Sequence, residues 1–256
     1  MDRRQLLTRS VGSLAAIAPK RVFSRASPHA ERPAPRHFLT LWREGHLAYY
    51  FSDHRRARSL FEQACTAAGL DSEPRADAAE MLSRVREALE RDEKELAPNR
   101  KEVEADPTSL AKRLDLADCL DRLGRYEEAQ AEYAKILLRA AELTPSENAA
   151  LWPRIGWHHY RHGRYAQAAE WFDRTPETLS RCTGTPKTPE QLLLRHIEAE
   201  ATLNRLLASV ALGRISAARV LAEVYVAQLG RLPWPHRLLL FRSGIDADAL
   251  YARHLD

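Results

Sequence analysis

Apolar residues recur at intervals of three and four along most of the chain, with charged residues between them. That period lets an α-helix bury one stripe and leave the rest to water. Between residues 73 and 97 the stripe runs Ala78, Met81, Leu82, Val85, Ala88, Leu89 and Leu96, while Glu80/Arg84, Glu87/Arg91 and Glu90/Lys94 stand four apart beside it. The spacing predicts a helix braced by ion pairs, its charge forming a solvated face. Breakers divide the pattern. Ser27 to Pro35 holds three prolines and reads as a linker, Leu143-Thr144-Pro145-Ser146 as a turn, and Thr175 to Pro189 as a loop. Pro233-Trp234-Pro235 breaks the chain again, and Asp246 to His254 reads as a short helix that caps the last apolar face.

Composition narrows the class. Of 256 residues 45% are hydrophobic and 29% charged, enough to fill one or two cores. Only ten glycines are present and Ala and Leu dominate, which favours helix over a turn-rich sandwich or a glycine-loop nucleotide fold. Apolar runs fall short of the roughly 18 residues of a spanning helix, so no membrane span is expected in the body of the chain. The net charge of +4 is unevenly placed: residues 1–36 hold eight Lys or Arg against Asp2 and Glu31, which leaves the remainder at −2. A body without basic excess lacks the footprint that dominates affinity for phosphate backbones, and nucleic acid is not the expected partner.

The basic leader has its own pattern. Arg3-Arg4-Gln5-Leu6-Leu7 precedes a short apolar stretch, Val11 to Ala18, followed by Lys20, Arg21 and Arg25. This resembles a twin-arginine export signal, which implies delivery to the periplasm or cell envelope. The same residues also fit a mitochondrial presequence, or a plain basic tail on a cytoplasmic protein. Cys65, Cys119 and Cys182 are too scattered for a disulfide framework, and Cys65 and Cys119 read as small core side chains.

A repeat organises residues 36–230. Leu123-Gly124-Arg125-Tyr126-Glu127-Glu128-Ala129-Gln130-Ala131-Glu132-Tyr133 aligns without a gap to His162-Gly163-Arg164-Tyr165-Ala166-Gln167-Ala168-Ala169-Glu170-Trp171-Phe172. Gly ends one helix, Tyr covers the turn, Ala admits a second helix closely, and the aromatic fills the gap between them. Upstream, Trp152 and Gly156 stand eleven and seven residues before Gly163, with Ala117 in the second place before Gly124. An earlier copy has Gly45, Ala57, Phe61 and Ala64, with Ser52 at the turn, and a weaker one has Gly213 and Ala218 but Ala222 where an aromatic is expected. The frame resembles the tetratricopeptide repeat family. That resemblance implies an all-α fold of antiparallel helix-turn-helix units stacked as an irregular right-handed solenoid, residues 36–230, with residues 231–256 as a carboxy-terminal cap and residues 1–35 as leader and linker. The 72 residues from Ala57 to Ala129 leave room for a degenerate unit at residues 73–97, and a loop interrupts the array near residues 175–189.

In that family the first helices line a concave groove, and the turn frame maps its ligand-facing places onto three stations. These are Trp42, His46, Tyr49 and Tyr50; then Asp115, Asp118, Asp121 and Arg122; then Trp157, Tyr160 and Arg161. Aromatics are favoured interface anchors, and the aspartates suit a basic segment, so the resemblance implies a non-catalytic adaptor for another protein or peptide. Aromatic stripes at this spacing also serve as core. His158 and His162, four apart, form the one candidate metal pair, without a third ligand or an HExxH pattern. Nucleophile elbows, P-loops and GxGxxG are missing, and no cofactor is expected. The alternatives are a ligand-sensing regulatory module and an exported metal-binding protein or enzyme, and self-association through the end helices is a further expectation.

Overall fold

The computed structural model describes residues 36–67, 73–180 and 189–254. The twin-arginine-like leader, the Ser27 to Pro35 linker and Cys182 lie outside the described residues. The described residues form helices α1 (Arg36–Tyr50), α2 (His54–Ala67), α3 (Glu73–Ala105), α4 (Leu110–Arg122), α5 (Tyr126–Leu137), α6 (Pro145–Arg161), α7 (Tyr165–Ser180), α8 (Pro189–Ala211), α9 (Ile215–Leu229), α10 (Trp234–Arg242) and α11 (Ala247–His254), with a 3-10 turn at Ala140–Glu142. No strand occurs among the described residues, and neighbouring helices pack in pairs, so the fold is an all-α helical repeat. Two compact units divide within α5, after Glu132.

One turn recurs in both units. At Ser52, Gly124, Gly163, Gly213 and Gly244 the backbone takes φ of 57°, 71°, 72°, 69° and 74°. The next N–H donates five residues back each time: Asp53 to Ala48 (2.8 Å), Arg125 to Leu120 (2.8 Å), Arg164 to His159 (2.9 Å), Arg214 to Ser209 (2.8 Å) and Ile245 to Leu240 (2.9 Å). This closes the first helix of a pair and releases the chain antiparallel to it. Five residues after the turn, Ala57, Ala129, Ala168 and Ala218 are fully buried. The fifth copy departs there, because Ala249 is exposed.

In the amino-terminal unit α1 packs on α2, α2 on α3 and α3 on α4. Residues 73–105 make one helix of 33 residues, about 50 Å long, where a degenerate helix-turn-helix unit was expected. The reason is local: residues 86–90, where the frame calls for a turn, are Arg86-Glu87-Ala88-Leu89-Glu90, strong helix formers without a glycine. Ala78, Met81, Leu82, Val85, Ala88 and Leu96 are buried, as the apolar stripe predicts.

In the carboxy-terminal unit α6 packs on α7, α7 on α8 and α8 on α9, with α10 against α8 and α11 against α9. Thr144 caps α6 in a capping box, its Oγ1 accepting from the Glu147 N–H (3.3 Å) and its N–H donating to Glu147 Oε2 (2.8 Å). Helix α7 runs through Pro176 to Ser180, so the loop expected from Thr175 starts later. Phe172 and Thr175 are fully buried, and that packing holds the last turn despite the N–H that Pro176 lacks. Pro233 and Pro235 sit at the start of α10, where a missing N–H costs no helix bond.

The close contacts explain the small residues of the frame. A Cβ at Gly156 would lie 2.4 Å from Phe172 Cε1, and one at Gly45 2.9 Å from the Phe61 ring. The fourth copy inverts the pair: Leu206 replaces the small residue, Ala222 replaces the aromatic, and both are fully buried in one cluster with Ala218, Val226 and Leu240. Ala222 is thus a compensated exchange of large for small.

Candidate functional site

The first station, on α1, is largely committed to packing. Trp42 lies against both apolar clusters of its unit, 4.2 Å from the His46 ring, which in turn meets Phe61 edge-on at 5.3 Å. Burial, reinforced by the Arg84 charge, pulls His46 down to about 4 and keeps it neutral at physiological pH. Tyr49 packs on the Phe61–Met81 cluster, 5.6 Å from His54, and Tyr50 stacks edge-on against Phe51 at 5.1 Å. Both tyrosines are half-buried.

The second station, on α4, divides. Asp115 and Asp118 are half-buried, but Asp121 is only 1% exposed. Arg122 turns toward α3, donating from Nε to Asp92 Oδ1 (2.9 Å) and from Nη2 to Glu95 Oε2 (3.1 Å). Asp121 is thus covered rather than groove-facing, and Arg122, half-buried, is engaged by the two carboxylates that the continuous α3 brings beside the end of α4. Asp92 joins three helices: its Oδ2 is 3.0 Å from His54 Nδ1 at the start of α2, and its carbonyl accepts from Cys119 Sγ at 3.3 Å. Burial opposes the Asp92 charge, yet the His54 bond and the Arg122 guanidinium outweigh it and hold the carboxyl below its ordinary value. Sequence reasoning missed this clasp, although an acid on the stripe between Ala88 and Leu96 was the signal. Burial pushes the Cys119 thiol up to about 11, consistent with an inert core side chain.

The third station, on α6, keeps its side chains together. Trp157 meets Tyr160 at 5.3 Å and Phe172 at 5.8 Å, Tyr160 meets Tyr165 at 5.1 Å, and the Arg161 guanidinium lies 5.7 Å from the Trp157 ring centre. One side of Trp157 and Tyr160 packs on Ala168, Phe172 and Ala208, yet all three station residues retain intermediate exposure. The histidine pair does not assemble as a metal site. His158 is 1% exposed with Nε2 3.1 Å from Arg164 Nη2, while His162 sits exposed at the turn, the rings 6.4 Å apart. A guanidinium only donates, so it occupies one of the two ring nitrogens through which His158 could bind a metal. Among the described residues no group of three His, Cys, Asp or Glu is placed to hold an ion.

Further along, burial pushes Glu200 on α8 up to about 7, against the opposing charge of Arg154 on α6. No sequence signal marks it, because its burial depends on which helices cover α8.

The model of the tetratricopeptide repeat matches residues 43–109 and 114–178, together just over half of the chain. The chain belongs to the tetratricopeptide repeat family. The first match spans α1 from Arg43 through α3, and the second covers α4 to α7. Helices α8 and α9 lie outside both matches and share the turn. No curated protein matches the chain. Tetratricopeptide repeats generally mediate protein–protein interaction and are typically non-catalytic scaffolds, which supports an adaptor role in general. No helix among the described residues is long and apolar enough to cross a membrane.

Proposed function

We propose that this tetratricopeptide repeat protein is a non-catalytic adaptor that holds a segment of another protein against the first-helix face of its carboxy-terminal unit, with Trp157 and Tyr160 as anchors. The observation that carries this reading is the dual placement of those two rings. Each is fixed on one side by the Ala168–Phe172–Ala208 cluster and remains partly open on the other. Rings immobilised in the free protein lose little conformational entropy on association, which makes them efficient contact surface. Tyr50, Asp115 and Asp118 supply a second, mixed face on the amino-terminal unit.

The test is affinity capture with the full chain as bait. Wild type is compared with a Trp157→Ala, Tyr160→Ala variant whose helicity and melting are checked by circular dichroism. The expected result is a polypeptide retained by wild type and lost from the folded variant. Equal retention by both, or no polypeptide retained by folded wild type, would remove the adaptor reading. Because both rings also touch core, Tyr160→Phe and Arg161→Ala serve as milder partners should the double variant unfold.

A further inference from the structure

Gly244 and Ile245 repeat the hydrogen bonds of the earlier turns, which makes α10 the first helix of a further pair. Within the carboxy-terminal unit α6 touches α8 and α8 touches α10, so three first helices stand side by side. Three residues before the turn these helices place Tyr160, Val210 and Phe241 in equivalent positions. Tyr160 and Val210 are partly covered, whereas Phe241 is 72% exposed. At that place Phe241 presents a benzyl side chain to water.

Charge indicates what would cover it. From seven residues before each turn glycine to two after, these three copies carry Arg161, Arg164, Arg214 and Arg242 against Asp246, while Arg237, at the packing position, pairs with Asp248 on α11 (3.7 Å) and lies over the Tyr251 ring. The same window in the amino-terminal unit has Asp53, Asp118 and Asp121 against Arg122 and Arg125. Basic excess around the turns of its first helices is thus a property of the carboxy-terminal unit.

We infer that α10 extends the partner face beyond α8, and that the face takes an acidic peptide segment bearing aromatic or large apolar side chains, with Phe241 as an anchor. This rests on the adaptor reading and gives its partner a chemical class. Apolar contact with Phe241 supplies affinity, and the arginine edge selects carboxylate-rich segments and repels basic ones.

The test measures binding of the full-length chain to three fluorescent polymers: a random copolymer of Glu and Tyr, one of Lys and Tyr, and poly-Glu. The expected order is Glu–Tyr strongest, poly-Glu weaker and Lys–Tyr absent. Phe241→Ala, whose exposure keeps it out of the core, should weaken Glu–Tyr binding at least about tenfold, and Arg214→Glu should weaken it further at low salt. Lys–Tyr binding as tight as Glu–Tyr, or Glu–Tyr binding indifferent to Phe241→Ala, would overturn the inference. If capture depends on Trp157 and Tyr160 but not on Phe241, the adaptor reading stands and this extension fails. A change in sedimentation on Phe241→Ala without polymer binding would assign the face to a second copy and also overturn it.

Discussion

Gly156→Ala adds a single carbon at the tightest contact in the repeat. The new Cβ would lie 2.4 Å from Phe172 Cε1 and 2.5 Å from Cδ1, whereas carbon atoms rest at about 3.5–4.0 Å. The ring or the helix must therefore retreat by roughly 1 Å or more. Phe172 is fully buried in a cluster with Ala168 and Ala208, so that movement displaces packed neighbours. Overpacking of this kind costs about 1–3 kcal/mol, and the better helix propensity of Ala returns about 1 kcal/mol. The expected net loss is on the order of 0–2 kcal/mol, a Tm decrease of up to roughly 8 °C for a chain of this size. Gly45→Ala, at 2.9 Å from Phe61, should lose less. The inverted pair Leu206/Ala222 supplies the complementary experiment. Phe172→Ala alone should cost about 3–5 kcal/mol, and Gly156→Leu in that background should recover at least about 1 kcal/mol of it through direct coupling. Circular dichroism melts and urea titrations read all four proteins. If Gly156→Ala melts above wild type, or Gly156→Leu lowers the stability of Phe172→Ala, the account of these pairs as one filled volume is wrong.

Three further outcomes are expected. Asp92→Asn should lower stability by about 2–4 kcal/mol in urea titrations, because Arg122 and His54 lose a buried carboxylate between three helices; since the folded Asp92 carboxyl titrates below its ordinary value, its contribution is present at neutral pH and is lost as pH falls through that folded value. Glu200 runs the other way: with its folded value raised to about 7, its contribution is complete below the ordinary glutamate range and is lost as pH rises through 7, on the order of 3 kcal/mol in all. Glu200→Gln should flatten the melting-temperature profile between pH 5 and 8, and an unchanged slope would count against the buried placement. Ser52→Gly should raise Tm by roughly 2–4 °C, because Ser52 holds a φ of 57° that costs a side-chain-bearing residue about 1 kcal/mol; a lower Tm would show that the serine hydroxyl contributes more than the strain removes.

The positions of helix pairs and turns were legible from residues alone. A glycine, a tyrosine, an alanine and an aromatic at fixed spacing dictate a positive-φ turn followed by close packing, and each requirement is local. The same frame places Ser52 at a turn, and the structure gives it the same backbone. The long α3 was half legible: its stripe was plain, but its continuity came from the missing glycine near residues 86–90. Site residues fared differently. Trp157, Tyr160 and Arg161 come together because they share one face of one helix. Asp121 is covered, Arg122 is engaged by α3, and His158, read as half of a metal pair, is buried against Arg164.

The sequence by itself determined the all-α repeat, its turns and its family, because those depend on backbone freedom, side-chain size and a helical period within about forty residues. Only the tertiary structure decided that Asp92 clasps α2 and α4, that Glu200 is half-buried, that Leu206 and Ala222 exchange volumes, and that Phe241 stays open. Burial and ion pairing are properties of which surfaces meet, and a chain encodes that meeting through all of its contacts at once.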